Sequence, residues 1–337
     1  MPNPRKLLYP FSLIYHGVTR VRNKLYDNNI LKFRSYDLPV IAVGNLNMGG
    51  TGKSPMIEFL LRILNEHLKV ATLSRGYKRE SKGFQLVAES DSVSKSGDEP
   101  LQFKNKYPDV IVAVDADRQE GIRELLKFKP DVILLDDAFQ HRKVKAGFYI
   151  LLTAYGDLFV DDLILPAGNL RESSSGARRA DVIIVTKCPN DLSEAEQKKI
   201  CNRLKPESHQ AVFFSSIKYS DNVISKVGER SLEGLKSRDF VLVTGIANPA
   251  PLLEFLKSKN FQPKHYKFSD HHNFSKSELE QLQQEPAILT TEKDYMRLRD
   301  KIPAEKLYYL PIEVEFLERG EKQFTEKIKL YVNKKEV

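Results

Sequence analysis

Apolar positions follow two periods along this chain. Leu7, Phe11, Ile14, Val18, Val21 and Leu25 recur every three or four residues, which predicts an amino-terminal helix with one apolar face. Short β-branched runs then alternate with helical stretches. Strands are predicted at 39–43, 70–73, 110–114, 132–135, 148–153 and 182–186, and helices at 55–66, 99–106 and 119–128. That alternation predicts an α/β fold, a parallel sheet with helices on both faces. The Lys82–Ser96 stretch, rich in Ser and charge, reads as a loop.

The pattern changes near residue 208. Ala211–Tyr219 and Val223–Val227, split by Ser220, Asp221 and Asn222, predict a β-hairpin. A second, smaller α/β unit follows. Its strands lie near 240–244, 264–268, 286–290 and 307–312, and its helices near 250–259, 276–284, 294–300 and 322–332. The expected organisation is a helix over 1–34, a core over 35–207, a hairpin linker over 208–235 and a smaller domain over 236–337.

Of 337 residues, 41% are hydrophobic and 29% charged, which suits a packed soluble chain rather than a disordered one. No apolar run reaches the ~18 residues of a spanning helix. The two cysteines, Cys188 and Cys201, match neither a disulfide framework nor a zinc spacing, so they read as ordinary thiols.

Charge sharpens the picture at the amino terminus. Residues 1–34 hold Arg5, Lys6, Arg20, Arg22, Lys24, Lys32 and Arg34 against Asp27 alone, so this tenth of the chain carries most of the net +8. The rest is close to neutral, which argues for one local anionic partner and against a nucleic-acid binder. Two arrangements satisfy the stripe: a helix packed on its own domain with solvated charges, or a helix lying in a membrane interface. A cleaved signal peptide fits poorly, because His16 interrupts the apolar region and no small-residue cleavage site follows.

Candidate chemistry begins after the 39–43 strand. Asn47, Met48, Gly49, Gly50, Thr51, Gly52, Lys53 and Ser54 form a Gly-rich loop between a strand and a helix, the context of a phosphate-binding P-loop. Glycines let backbone N–H groups curl around phosphate oxygens, and the helix N-terminus adds partial positive charge. Lys53 is expected on the β/γ-phosphates and Ser54 on Mg²⁺. Asn47 replaces the first glycine of the usual pattern, and Asn can adopt the left-handed conformation. The 132–135 strand ends in Asp136 and Asp137, a Walker-B arrangement in which either carboxylate can serve the metal.

A guanine-reading loop would place Asp where Pro189 stands, so a GTPase switch is disfavoured. A phosphotransferase needs a group to take the acceptor's proton. Asp98, Asp115, Asp117 near Arg118, and Asp270 beside His271 and His272 are the candidates. Adjacent histidines chelate one zinc ion poorly, so a zinc site there is not expected.

Together these motifs resemble the tetraacyldisaccharide 4'-kinase family, whose members phosphorylate the lipid A disaccharide precursor in Gram-negative bacteria. The matching stretches are Val43–Pro55, Leu73–Arg79, Gly97–Pro100, Asp117–Arg118, Leu135–Arg142, Leu165–Glu172, Arg178–Asp181, Asp270–His271 and Thr290–Asp294, spread over most of the chain. The loop lacking the first Walker glycine is itself the family's habit. The resemblance implies a P-loop NTPase-like sheet, ATP and Mg²⁺, with Asp98 as catalytic base, His271 (or its neighbour His272) as its partner and Lys53 at the phosphates. It implies that Ser54, Asp136 and Asp137 serve the metal, and that Arg118, Arg171, Gln140 and His141 lie near the phosphates or the substrate. It further implies an acylated disaccharide substrate and a peripheral, monomeric enzyme on the cytoplasmic face of the inner membrane. A non-catalytic adaptor with a relic nucleotide site and a soluble small-molecule kinase are the rival readings.

Overall fold

The computed structural model describes residues 4–334. The expected segments 1–34 and 236–337 each extend three residues beyond that range. A 3-10 turn, Pro4–Leu8, leads into α1 (Tyr9–Asp27). Then come β1 (Val40–Asn45), α2 (Lys53–Leu64), β2 (Val70–Ser74), β3 (Gln85–Leu86), α3 (Val93–Ser96), α4 (Asp98–Lys106), β4 (Ile111–Val114) and α5 (Arg118–Leu126). β5 (Val132–Asp136), β6 (Phe148–Ala154), β7 (Val182–Thr186), α6 (Glu194–Leu204) and β8 (Ala211–Tyr219) complete the first two-thirds. The remainder holds β9 (Asn222–Ser225), β10 (Gly228–Ser231), β11 (Val241–Thr244), α7 (Ala250–Ser258), β12 (His265–Lys267), α8 (Lys276–Gln284) and β13 (Ile288–Thr290). It ends with α9 (Glu292–Leu298), β14 (Leu307–Tyr309), β15 (Ile312–Phe316) and α10 (Gly320–Asn333).

These elements form a mixed α/β fold on two sheets. The larger has the order β15-β8-β7-β6-β1-β5-β2-β4-β3, parallel except for its two edge strands. β1, β2, β5 and β7 are buried along their whole length, as expected of strands covered on both faces. β1 lies between β5 and β6. The carboxyl ends of β1 and β5 therefore sit side by side, bringing the P-loop next to Asp136 and Asp137. The smaller sheet has the order β10-β9-β14-β13-β11-β12.

The structure corrects the hairpin. Ala211–Tyr219 does not pair with the run that follows it; it joins the large sheet, parallel to β7 and antiparallel to β15. The hairpin forms instead between β9 and β10, in the small sheet. The strand expected over 307–312 likewise divides into β14 and β15, one in each sheet. Pro311 stands at the break, where a missing N–H interrupts a ladder. The chain therefore crosses between sheets twice, and α10 packs on the large sheet rather than the small one. Phe324 of α10 lies 5.8 Å from Phe59 of α2 and 5.5 Å from Phe213 of β8, ring centre to ring centre. The loop expected at 82–96 contributes an edge strand, β3, and the short α3.

α1 is mounted with its polar face inward. Ser12 Oγ donates to the Ile164 carbonyl at 2.9 Å and accepts from Ala167 N at 3.0 Å. Arg5 donates to the Pro166 and Gly168 carbonyls and to Asn169. Tyr15 reaches the Arg171 carbonyl, and Asn23 donates to Glu172 at 2.6 Å. The apolar stripe is left uncovered: Leu7, Phe11, Ile14, Val18 and Val21 are 60–82% exposed. This decides against the helix packing its apolar face on its own domain. Among the described residues, no helix is long and apolar enough to cross a membrane.

The placement of α10 has a measurable consequence. Phe324 is fully buried at the junction of α2, β8 and β15. Phe324→Ala should lower unfolding free energy by about 3–5 kcal/mol. Urea unfolding measures this, and a loss below about 1 kcal/mol would show that α10 is not part of the core.

Candidate active site

The P-loop leaves β1 and turns into α2. Gly49 and Gly52 have φ of 131° and 85°, the two positions where a side chain would be strained. Asn47 does not use the left-handed conformation open to Asn. It is buried, its Nδ2 donates to Asp162 at 3.2 Å, and its backbone bridges to Leu170. The first Walker glycine is thus replaced by a residue anchored to the 162–170 segment. Met48 is exposed, and its N–H donates to the Asn169 carbonyl at 2.7 Å. From the end of β7, Thr186 Oγ1 donates to the Thr51 carbonyl at 2.8 Å and Lys187 Nζ to the Gly50 carbonyl at 2.5 Å. The loop is held from both sides before any phosphate arrives.

Lys53, the first residue of α2, lies 3.4 Å from Asn45 Oδ1 and 3.7 Å from Asp137. Arg171 spans Asp137 at 3.0 Å and Asn45 at 3.1 Å, and Gln140 Nε2 donates to the Asn45 carbonyl at 2.7 Å. These side chains make one cationic cluster around Asp137. Burial pushes the Asp137 carboxyl up, but Lys53 and Arg171 outweigh it and hold it below its usual range.

Asp136 differs from its neighbour. It is buried; Oδ2 accepts from Ser74 at 3.2 Å, and Oδ1 has no hydrogen-bond partner. Burial, with Glu99 and Asp137 nearby, pushes its carboxyl up to about 7. Ser54 Oγ donates to Glu99 at 2.6 Å. The Ser54 hydroxyl, the Glu99 carboxylate and Asp136 Oδ1 are hard oxygens suited to a divalent cation. Among the described residues, no group of three His, Cys, Asp or Glu could hold a metal alone, so phosphate oxygens would have to complete such a site.

Arg118 lies behind Asp136 rather than facing open space. It is buried, and it donates to the carbonyls of Asp115 and Asp136; Nε alone is left without a partner. The structure makes it a brace for the strand ends. His141 is lowered to about 4 by burial and by Arg118, so its ring is neutral near pH 7. Its Nε2 is buried without a partner.

Asp98 opens α4 and lies against residues from the smaller sheet. His271 Nδ1 is 2.9 Å from its Oδ2, and Arg297 of α9 is ion-paired with the same oxygen. Burial would raise the Asp98 carboxyl, but His271, Arg297 and Lys293 override it and hold it well below the carboxylate range. His272 points elsewhere, to Glu278 at 3.0 Å, so His271 is the partner. His271 sits at φ 56°, a strained conformation for a non-glycine residue, and Tyr77 packs edge-on against its ring at 5.4 Å.

Three contributors escaped the sequence analysis as individual residues. Glu99 joins Ser54 to Lys293, the latter pair at 2.5 Å. Arg297 completes the Asp98 cluster. Lys293 and Arg297 stand four apart, the spacing that puts two cations on one helix face, and that spacing was the available signal.

The profile of the Tetraacyldisaccharide-1-P 4'-kinase family matches residues 4–333. The chain belongs to that family. A tetraacyldisaccharide 4'-kinase of Flavobacterium johnsoniae is 53% identical over 318 residues, 93% of this chain and 93% of its own length. One from Bacteroides thetaiotaomicron is 44% identical over 353 residues, 97% of this chain and 93% of its own. A crystal structure described as the "apo" form of LpxK from Aquifex aeolicus in complex with ATP superposes with a TM-score of 0.79 at 29% identity, covering 97% of this chain and 99% of that one. This tetraacyldisaccharide 4'-kinase family member therefore shares its relatives' fold along nearly their whole length.

Asp136 yields a test. Folded, it keeps its proton up to about pH 7; unfolded, it ionises near 3.8. Between those values the native state holds the extra proton, so stability falls as pH rises through the window. Asp136→Asn removes that loss. Its unfolding midpoint should exceed wild type clearly at about pH 8 and much less at about pH 5. A gap independent of pH would contradict the assignment.

Proposed function

We propose that this chain transfers the γ-phosphate of ATP to the 4'-hydroxyl of a tetraacyldisaccharide 1-phosphate, giving the lipid A precursor (lipid IVA). The observation that carries the proposal is Asp98: a buried carboxylate, kept ionised by His271 and Arg297, on the helix whose next residue bonds Ser54 of the P-loop.

The loop amides and Lys53 bind the β- and γ-phosphates. Lys53 rests on Asn45 and Asp137 and is free to transfer to a more strongly charged phosphate. Arg171 stands in the same cluster and adds positive charge where charge shifts between oxygens. Asp98 orients the sugar hydroxyl and takes its proton, with His271 fixing the carboxylate's direction. A weakly basic carboxylate is adequate, because in a loose phosphoryl transition state the proton leaves late. Ser54, Glu99 and Asp136 would hold Mg²⁺, which would supply positive charge to offset that of the phosphates. Gln140 and His141, on the α1 side of the cluster, are placed for the sugar; Arg22 of α1 donates to the Gln140 carbonyl at 3.3 Å.

The same reading gives α1 a role. Its uncovered stripe lies in the surface of the inner membrane's cytoplasmic leaflet, where the lipid substrate resides. Burying each large apolar side chain contributes about 1.5–3 kcal/mol when complete. Each basic group near an anionic leaflet adds about 1 kcal/mol.

Two measurements test these statements. Asp98→Asn should lower transfer of labelled γ-phosphate to a lipid disaccharide by about 100-fold or more while ATP binding changes little. Turnover close to wild type would remove Asp98 as base. Ile14→Glu with Val18→Glu, both at exposed positions, should abolish sedimentation with anionic vesicles and leave the melting temperature unchanged. Undiminished sedimentation would remove α1 as the anchor.

A further inference from the structure

One helical turn beyond the active site, the same three helices meet again. Glu58 stands four residues after Ser54 on α2, Gln102 four after Asp98 on α4, and Glu292 immediately before Lys293 on α9. All three are 4–5% exposed. The Gln102 amide donates its two hydrogens to different carboxylates, Glu58 at 2.7 Å and Glu292 at 2.6 Å. Lys106, one further turn along α4, donates to the same pair at 2.7 and 3.1 Å. Tyr107 adds a bond to the Glu58 carbonyl at 3.2 Å. No residue of this network faces the phosphate loop, and the chemistry above uses none of it.

Such a network is costly to bury. Two carboxylates face one ammonium and one amide, so each donor removed leaves a buried acceptor unsatisfied. An apolar contact would hold three helices together with less penalty but would not set their angle. Here Gln102 and Lys106 are each shared between α2 and α9, with α4 between them. A small rotation of α4 breaks bonds to both neighbours, and a rotation of α2 or α9 breaks its bonds to α4.

We infer that Glu58, Gln102, Lys106 and Glu292 are positioning residues for phosphoryl transfer: they fix α9 against α2 and α4, so that Asp98 and Glu99 are presented to the P-loop in register. The inference rests on the phosphotransfer reading of the neighbouring site. Its logic is geometric. Lys293 and Arg297, which hold Glu99 and Asp98, share their helix with Glu292. The helix that carries the P-loop lysine and serine carries Glu58. Among the described residues, the network is the one place outside the active site where those two helices are tied through shared donors. A displacement of about 1 Å at a reacting group can cost about 100-fold in rate, so a brace at this distance can act on turnover without touching a substrate.

The test compares Gln102→Met, which keeps volume and removes both donors, with Glu292→Leu and Glu292→Gln. Gln102→Met and Glu292→Leu should lower kcat by about tenfold or more with KM for ATP within about threefold of wild type. Glu292→Gln, which keeps the volume but offers one acceptor oxygen where Gln102 and Lys106 use two, should fall between Glu292→Leu and wild type in kcat. Hydrogen exchange supplies a readout that needs no lipid substrate. Amides of Glu292–Leu298 should exchange faster in Gln102→Met than in wild type, while those of β1 and β5 stay protected. Unchanged exchange in α9 overturns the brace whether or not wild type transfers phosphate. Folded Gln102→Met and Glu292→Leu with wild-type kcat also overturn it, whereas an inactive wild type with the expected exchange pattern overturns only the phosphotransfer reading.

Discussion

The ion pairs Asp98–Arg297 and Glu99–Lys293 join a helix of the large sheet to a helix of the small one. Both carboxylates stand in the first turn of α4, and both cations stand on one face of α9. Without the cations, two neighbouring carboxylates would be buried together beside Asp136, and burial would drive them toward the neutral form. With them, Asp98 and Glu99 stay ionised despite burial. Such pairs seldom add net stability over apolar packing, but losing one partner is costly, about 3–5 kcal/mol. Their value here is orientation: they exist only when the two sheets meet at one angle, and that angle completes the site.

Seen from the phosphate loop, the site is poised between opposite charges. Lys53 and Arg171 gather on Asp137, while Asp136 is left buried with an unpartnered oxygen and a raised carboxyl. A polyphosphate brings negative charge to the first group. The second group is one whose free oxygen a divalent cation would satisfy. The two carboxylates that end β5 therefore occupy different electrostatic surroundings although they are adjacent in sequence. Asp137, at φ 47°, turns away from the strand direction toward the lysine, whereas Asp136 remains in β5.

α1 reverses the usual logic of an amphipathic helix on a globular protein. At its end Tyr26 is buried under Arg142; along most of its length it is held by hydrogen bonds from Ser12, Tyr15, Arg22 and Asn23, with Arg5 of the preceding turn, to the 162–172 segment and to Gln140. Those two segments also carry Arg171 and flank the P-loop. Polar groups are thus consumed in fixing the helix to the rim of the catalytic cluster, and the apolar groups are turned outward. The exposed apolar surface is thereby linked through hydrogen bonds to the segment that carries Arg171.

The sequence by itself determined every element whose signal is local. β1, the Gly-rich loop and α2 were legible because a short apolar strand, glycines and a helix N-terminus are adjacent in the chain. The β5 carboxylates followed for the same reason, and the family motifs named Asp98 and His271. Pairing was decided only by tertiary structure. β8 has a turn-like segment after it and reads as half of a hairpin, yet its two backbone edges pair with β7 and β15 instead. Nothing local distinguishes those choices, because strand periodicity states which face is buried but not against which partner. The outward stripe of α1, the choice of His271 over His272 and the grouping of Glu58, Gln102 and Glu292 were likewise settled by contacts between residues far apart in the chain. Local physics sets what a segment can become; long-range burial and charge pairing set what it meets.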